Sequence, residues 1–195
     1  AAVKKVAATF LKPLEPEPVY SANYDVVTAI PTLNAYAGSK EGEFCHDILA
    51  RIVVSHKSQV TSHKPDDSFD SQLRSRYQEC APRYPLKFNE ANILKTLAEF
   101  LAMPEVRPWF ETKDGRTIKT EAEFADKDGN ISRVDRLIID KDAVTIIDFK
   151  TGAEDTEKYT TQLKRYLALA AEIYKLPAKG LIAYVDLGKI IEIRV

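Results

Sequence analysis

Apolar positions recur along this chain with two different periods. The stretch "GEFCHDILARIVVSH" (42–56) sets Phe44, Ile48, Ile52 and Val53 on one side of a helical projection, with His46 near its start. "FNEANILKTLAEFLAMPEV" (88–106) predicts a second amphipathic helix. Asn89 or Asn92 can cap it, Ile93, Leu94, Leu97, Phe100 and Leu101 form its stripe, and Pro104 stops it. Between them "KSQVTSHKPDDSF" (57–69) is polar and reads as a loop. After Trp109 the period shortens. "RTIKTEAEFAD", "ISRVDRLIID" and "AVTIIDFK" each read as a strand, and the short turn signals "KDGN" and "KDA" between them predict an antiparallel meander. "DTEKYTTQLKRYLALAAEIYKL" returns to helical spacing for about twenty residues and is ended by Pro177. "GLIAYVDL" and "KIIEIRV" close the chain as two more strands. Helices, three strands, a long helix and two strands together predict an α/β protein, a mixed sheet flanked by helices.

Composition narrows the class. The chain has 195 residues, enough for one domain of ordinary size, with 45% hydrophobic and 29% charged residues. No apolar run is long enough to span a bilayer and no signal-peptide pattern opens the chain, so a cytoplasmic protein with no membrane partner is the expectation. Two cysteines, Cys45 and Cys80, are too few for structural zinc or an iron–sulfur cluster. A net charge of −1 makes the surface as a whole no attractor of nucleic acid, so any such site is local or is fed by another domain. The opening "AAVKKVAATF" lacks an initiator methionine, which reads as a piece of a longer protein. In "LKPLEPEPVYS" three prolines within six residues exclude a helix and predict an extended strap.

The chemistry concentrates at "VTIIDFKTG" (144–152). An apolar run ends in Asp148 and Lys150, which share a face because they are two apart on a strand. Taken alone, such a pair is an ordinary surface ion pair. The preceding strand, however, brings Asp135 alongside, and the strand before that carries Glu121 and Glu123. Clustered carboxylates repel and their pKa values rise unless a cation sits among them. Hard oxygen ligands select Mg²⁺ or Mn²⁺, and Lys150 would supply a point charge beside that ion to orient a water or stabilise charge on a phosphate.

"RVDRLIID", "VTIIDFKTG" and "YTTQLKRY" in succession resemble the RecB-type nuclease domain of the PD-(D/E)XK superfamily, found at the C-terminus of helicase-nucleases such as the RecB and AddA subunits. The resemblance covers more than half the chain. Gly42 and His46 of "GEFCH" match the family's glycine and histidine at a helix start, and Glu121 and Phe124 match its Glu-x-x-Phe. Asp135 matches the aspartate of Gly-x-x-Asp, Asp148, Lys150 and Thr151 match Asp-x-Lys-Thr, and Gln162 and Tyr166 match Gln-x-x-x-Tyr. Ser132 stands where the family has glycine.

The resemblance implies a restriction-endonuclease-like fold. It implies a strap over residues 1–40 from a preceding helicase region, then a nuclease domain over 41–195 with a helical part (41–110) and a catalytic core (111–195). It implies a Mg²⁺ or Mn²⁺ ion held by His46, Asp135, Asp148 and the backbone carbonyl of Phe149. Lys150 would assist the attacking water, Glu121 would support the site, and Gln162 and Tyr166 would orient Lys150 and the DNA backbone. Beside these, Tyr166 has a second reading as a core aromatic. Arg133, Arg136, Thr151, Lys164 and Arg165 are candidate DNA contacts. The implied activity is a metal-dependent deoxyribonuclease, of exonuclease type, in DNA recombination or double-strand break repair, with DNA, a helicase domain of the same chain and a second subunit as partners. Two other readings remain open: a catalytically silent nuclease fold that binds DNA or a partner, suggested by Ser132, and a stand-alone or restriction-type nuclease.

Overall fold

The computed structural model describes residues 33–55 and 69–194, and the prolyl strap, the loop expected at 57–69 and His56 and His63 lie outside these apart from Phe69. Three helices precede the sheet: α1 (Leu33–Ala50), α2 (Phe69–Cys80) and α3 (Glu90–Ala102). Five strands follow, β3 (Thr117–Ala125), β4 (Ile131–Ile139), β5 (Val144–Lys150), β6 (Ala178–Tyr184) and β7 (Lys189–Arg194), with α4 (Thr156–Tyr174) between β5 and β6. The strands β1 (Val54–Ser55) and β2 (Glu111–Thr112) form a separate small parallel pair.

The sheet runs β3-β4-β5-β6-β7 in space. β3, β4 and β5 form the expected meander, α4 carries the chain across so that β5 and β6 are parallel, and β7 turns back on β6. This is the mixed, helix-flanked α/β sheet predicted from sequence. β5 is buried over Val144–Phe149 because both its faces are covered. Ile147 and Phe149 join the core beneath α1, α2 and α3, with Phe44, Ile48, Leu97, Phe100 and Phe110. Val144 and Ile146 join the core beneath α4, with Leu163, Tyr166, Leu167 and Ala170. The helix α4 lies close on β6: a Cβ added at Gly180 would fall 2.6 Å from Leu163 Cδ2.

Local signals explain the boundaries. Asn89 caps α3 by accepting from the Asn92 N–H at 3.1 Å, and the chain leaves the helix at Met103, just before Pro104. Asp155 caps α4 at its start, and Lys175, the residue that caps its C-terminal end, adopts the left-handed conformation at φ 54°. Two expectations are corrected, and one helix is added. α1 runs through the boundary placed at residue 40, so the helical part begins by Leu33. The same helix ends at Ala50, which leaves Val53 40% exposed rather than on its apolar stripe. α2 has no counterpart in the pattern reading, because "FDSQLRSRYQEC" is largely polar and buries only Gln72, Leu73, Tyr77 and Cys80. Gln72 makes that burial tolerable by bonding both backbone groups of Val53. Among the described residues no helix is long and apolar enough to cross a membrane.

Candidate active site

The register of the central strands creates the site. β4 pairs with β5 from Ile139–Val144 to Arg136–Ile147 and then stops, so Asp135 and Asp148 stand where the next pair would be. On its other side β4 pairs with β3 on either side of one omitted pair, Glu121 with Asp135, and resumes in the same register. Glu121 at this gap has φ 51°. A non-glycine residue there is strained by about 1–2 kcal/mol, and such outliers concentrate at functional sites. The inside–outside alternation of β4 breaks at the same place: Arg136 packs toward α1, whereas Val134 enters the core beneath α4. The strands part here, and the carboxylates occupy the opening.

Asp135 takes over the job of a missing ladder acceptor. Its Oδ2 accepts the Phe149 N–H at 2.7 Å and lies 3.6 Å from His46 Nδ1, which α1 projects toward the strand end. Asp148 is 5% exposed, and its Oδ2 lies 2.6 Å from Lys150 Nζ. The Lys150 ammonium is thus the partner of the buried Oδ2, by charge more than by an aligned hydrogen bond. The Lys150 carbonyl accepts from the Val185 N–H at 2.9 Å, and Asp186 accepts from the Gly152 N–H at 2.8 Å, which ties the end of β5 to the turn after β6. A cleft of about 730 Å³ opens beside His46 and Lys150, bounded by Gly42, Thr151 and Asp186. Gly42 lets α1 approach, since a Cβ there would stand 2.4 Å from Thr151 Oγ1.

The electrostatics are those of an acid cluster short of positive charge. Burial is the main cause that pushes the Asp135 carboxyl up to about 6, opposed by the Phe149 N–H and Lys150 and reinforced by Glu121. Burial also raises Asp148, with Lys150 opposing and Asp135 adding to the rise. His46 is held below its ordinary value by burial and then by Lys150. Two raised carboxyls beside a neutral imidazole fit a hard divalent cation, which would relieve their repulsion and bind the buried Asp148 Oδ2. Among the described residues no three His, Cys, Asp or Glu side chains stand together as a ligand set, and Asp148 is paired with Lys150.

The remaining sequence candidates divide. Glu121 is exposed and pairs with Arg133 at 2.9 Å, close enough to act on both His46 and Asp135. Lys164 and Arg165 are exposed on α4, and Thr151 is half-buried against Gly42. Gln162 donates to the Tyr166 hydroxyl at 2.5 Å, and Tyr166 is buried in the core beneath α4, so this pair engages itself. Arg136 is corrected. It is fully buried, donates to the carbonyls of Leu49 at 2.7 Å, Ile52 at 3.0 Å and Trp109 at 3.4 Å, and lies over the Phe110 ring at 4.2 Å. Burial pulls its pKa down to about 9. It closes the C-terminal end of α1, where the helix dipole favours a cation, and is out of reach of DNA. Ser132 lies half-buried in the regular ladder opposite Phe124, without the positive φ that would demand glycine. Pattern reading missed Tyr159, whose ring meets Lys150 Nζ at 4.6 Å. Its signal was its place three residues before Gln162 on the same helical face.

The sequence model of the PD-(D/E)XK nuclease superfamily matches residues 21–192. No curated protein matches the chain.

Proposed function

Because this chain belongs to the PD-(D/E)XK nuclease superfamily, we propose that it hydrolyses phosphodiester bonds in DNA with the help of Mg²⁺ or Mn²⁺. The observation that carries this reading is the strand end itself: Asp135 and Asp148 occupy opposite positions where the ladder stops, with Lys150 2.6 Å from Asp148 and His46 3.6 Å from Asp135. Asp135, Asp148, His46 and the Phe149 carbonyl would hold the ion. When bound, it would lower the pKa of a water and offset charge on the phosphate. Lys150, paired with Asp148 in this structure, would be free of it with the ion bound, and its ammonium would orient the attacking water and stabilise the negative charge that grows on the phosphoryl oxygens. Water adds to phosphorus, the P–O bond to the leaving sugar breaks, and the water's proton ends on the departing oxygen. Glu121 supports the site by its negative charge, and exposed Arg133, Lys164 and Arg165 supply backbone contacts that carry no sequence information.

The motif order favours a RecB-type domain of a helicase-nuclease acting in recombination or double-strand break repair, and an exonuclease in particular. A net charge of −1 supports delivery of the strand by a motor domain rather than capture by the nuclease surface. The test is incubation of the protein with linear single- and double-stranded DNA in Mg²⁺, Mn²⁺ or chelator, beside Lys150→Ala and Asp148→Ala. Cleavage that needs a divalent ion and is lost in both variants supports the reading. Absence of cutting under every condition, together with no divalent-ion binding by calorimetry, leaves the silent DNA- or partner-binding fold instead.

A further inference from the structure

Lys150 is a long, flexible side chain, and something must hold its ammonium in place once Asp148 turns to an ion. Gln162 is hydrogen-bonded to the Tyr166 hydroxyl rather than to Lys150. The ring over which Lys150 lies is Tyr159, in the first turns of α4, with its centroid 4.6 Å from Lys150 Nζ. Tyr159 is itself braced. Its ring centre lies 6.4 Å from that of Tyr184, tilted by 58°, and Tyr184 is fully buried directly beside Lys150 in the β5–β6 register. Strand and helix thus fix the lysine and the ring independently and bring them together over a half-buried spot, where a cation over an aromatic face gains most.

We propose that Tyr159 is a positioning residue for Lys150, holding the ammonium by a cation–π contact that persists when the Asp148 ion pair opens. Asp148 and Tyr159 divide the work: the carboxylate holds Lys150 in the resting protein, and the ring keeps the released ammonium over the site rather than letting it swing into the adjoining cleft. The ring face, not the phenolic hydroxyl, carries this role. The inference rests on the nuclease reading for its catalytic consequence and on the geometry alone for the contact.

The test has two arms. In the protein without DNA or metal, carbon–proton NMR of lysine-labelled protein, with Lys150 assigned through Lys150→Arg, should show its ε-CH₂ signals shifted upfield by the ring current. Tyr159→Phe should keep that shift and Tyr159→Leu should abolish it. In cleavage assays Tyr159→Leu should lower kcat about tenfold at little change in KM, a loss that corresponds to about 1.4 kcal/mol. Tyr159→Phe should restore most of the rate, and ring-fluorinated phenylalanines at 159, which weaken the quadrupole without changing shape, should lower it step by step. An unshifted Lys150 signal in the wild type overturns the contact whatever the activity. A Tyr159→Leu defect confined to KM shows a ring that touches DNA instead, and overturns the positioning role. A wild type with the shifted signal that never cuts DNA overturns the nuclease reading, and with it the catalytic consequence.

Discussion

Replacing Asp135 by asparagine should make the metal-free protein more stable while disabling it. The carboxyl is raised from an ordinary 3.8 to about 6, mainly by burial. A group whose folded-state pKa lies above its unfolded-state value favours folding below pH 3.8 and loses that contribution as pH rises through about 6. At about 1.4 kcal/mol per pH unit the full effect above pH 7 is about 3 kcal/mol, and solvent reaching the side chain reduces it to about 1–3 kcal/mol. Asparagine has nearly the same shape, and its Oδ1 can still accept the Phe149 N–H that Asp135 accepts at 2.7 Å. Guanidinium denaturation in chelator should therefore show Asp135→Asn more stable than the wild type at pH 8 by about 1–3 kcal/mol, with the gap closing toward pH 4. Adding Mn²⁺ at pH 8 should reverse the order, because the wild type gains a ligand for its repelling carboxylates and the variant does not. A variant equal to or weaker than the wild type at pH 8 in chelator would show that Asp135 carries no such strain.

Two further substitutions probe other parts of the account. Glu121→Gly should stabilise the fold by about 1 kcal/mol in thermal unfolding, since glycine accepts φ 51° freely, and should slow cleavage by removing a carboxylate near Asp135 and His46. Arg136→Met should cost about 2–3 kcal/mol in chemical denaturation by stranding the carbonyls of Leu49, Ile52 and Trp109, and should leave KM for DNA unchanged.

Much of this architecture is legible in the amino-acid sequence. The apolar run that ends in Asp148 and Lys150 read as a strand, and the helical spacing of residues 155–176 predicted the helix that covers one of its faces. Two-residue periodicity placed Asp148 and Lys150 together because that geometry is local. What depended on distant segments was not legible. Arg136 looked like a surface charge because its three carbonyl partners come from residues 27 to 87 positions away. The extension of α1 back to Leu33 and the polar helix α2 lacked an apolar stripe to betray them. The break at Glu121 and Asp135, which opens the site, is a matter of strand pairing and leaves no mark on composition.

The most direct test of the central claim is the position of Mn²⁺ in crystals soaked in that ion, located by its anomalous scattering. The expected result is a peak bound by His46, Asp135 and Asp148 and by the carbonyl of Phe149, with Lys150 moved off Asp148 and still over the Tyr159 ring. Strong peaks elsewhere and none at the end of β5, with the Lys150–Asp148 pair intact at saturating Mn²⁺, would contradict it.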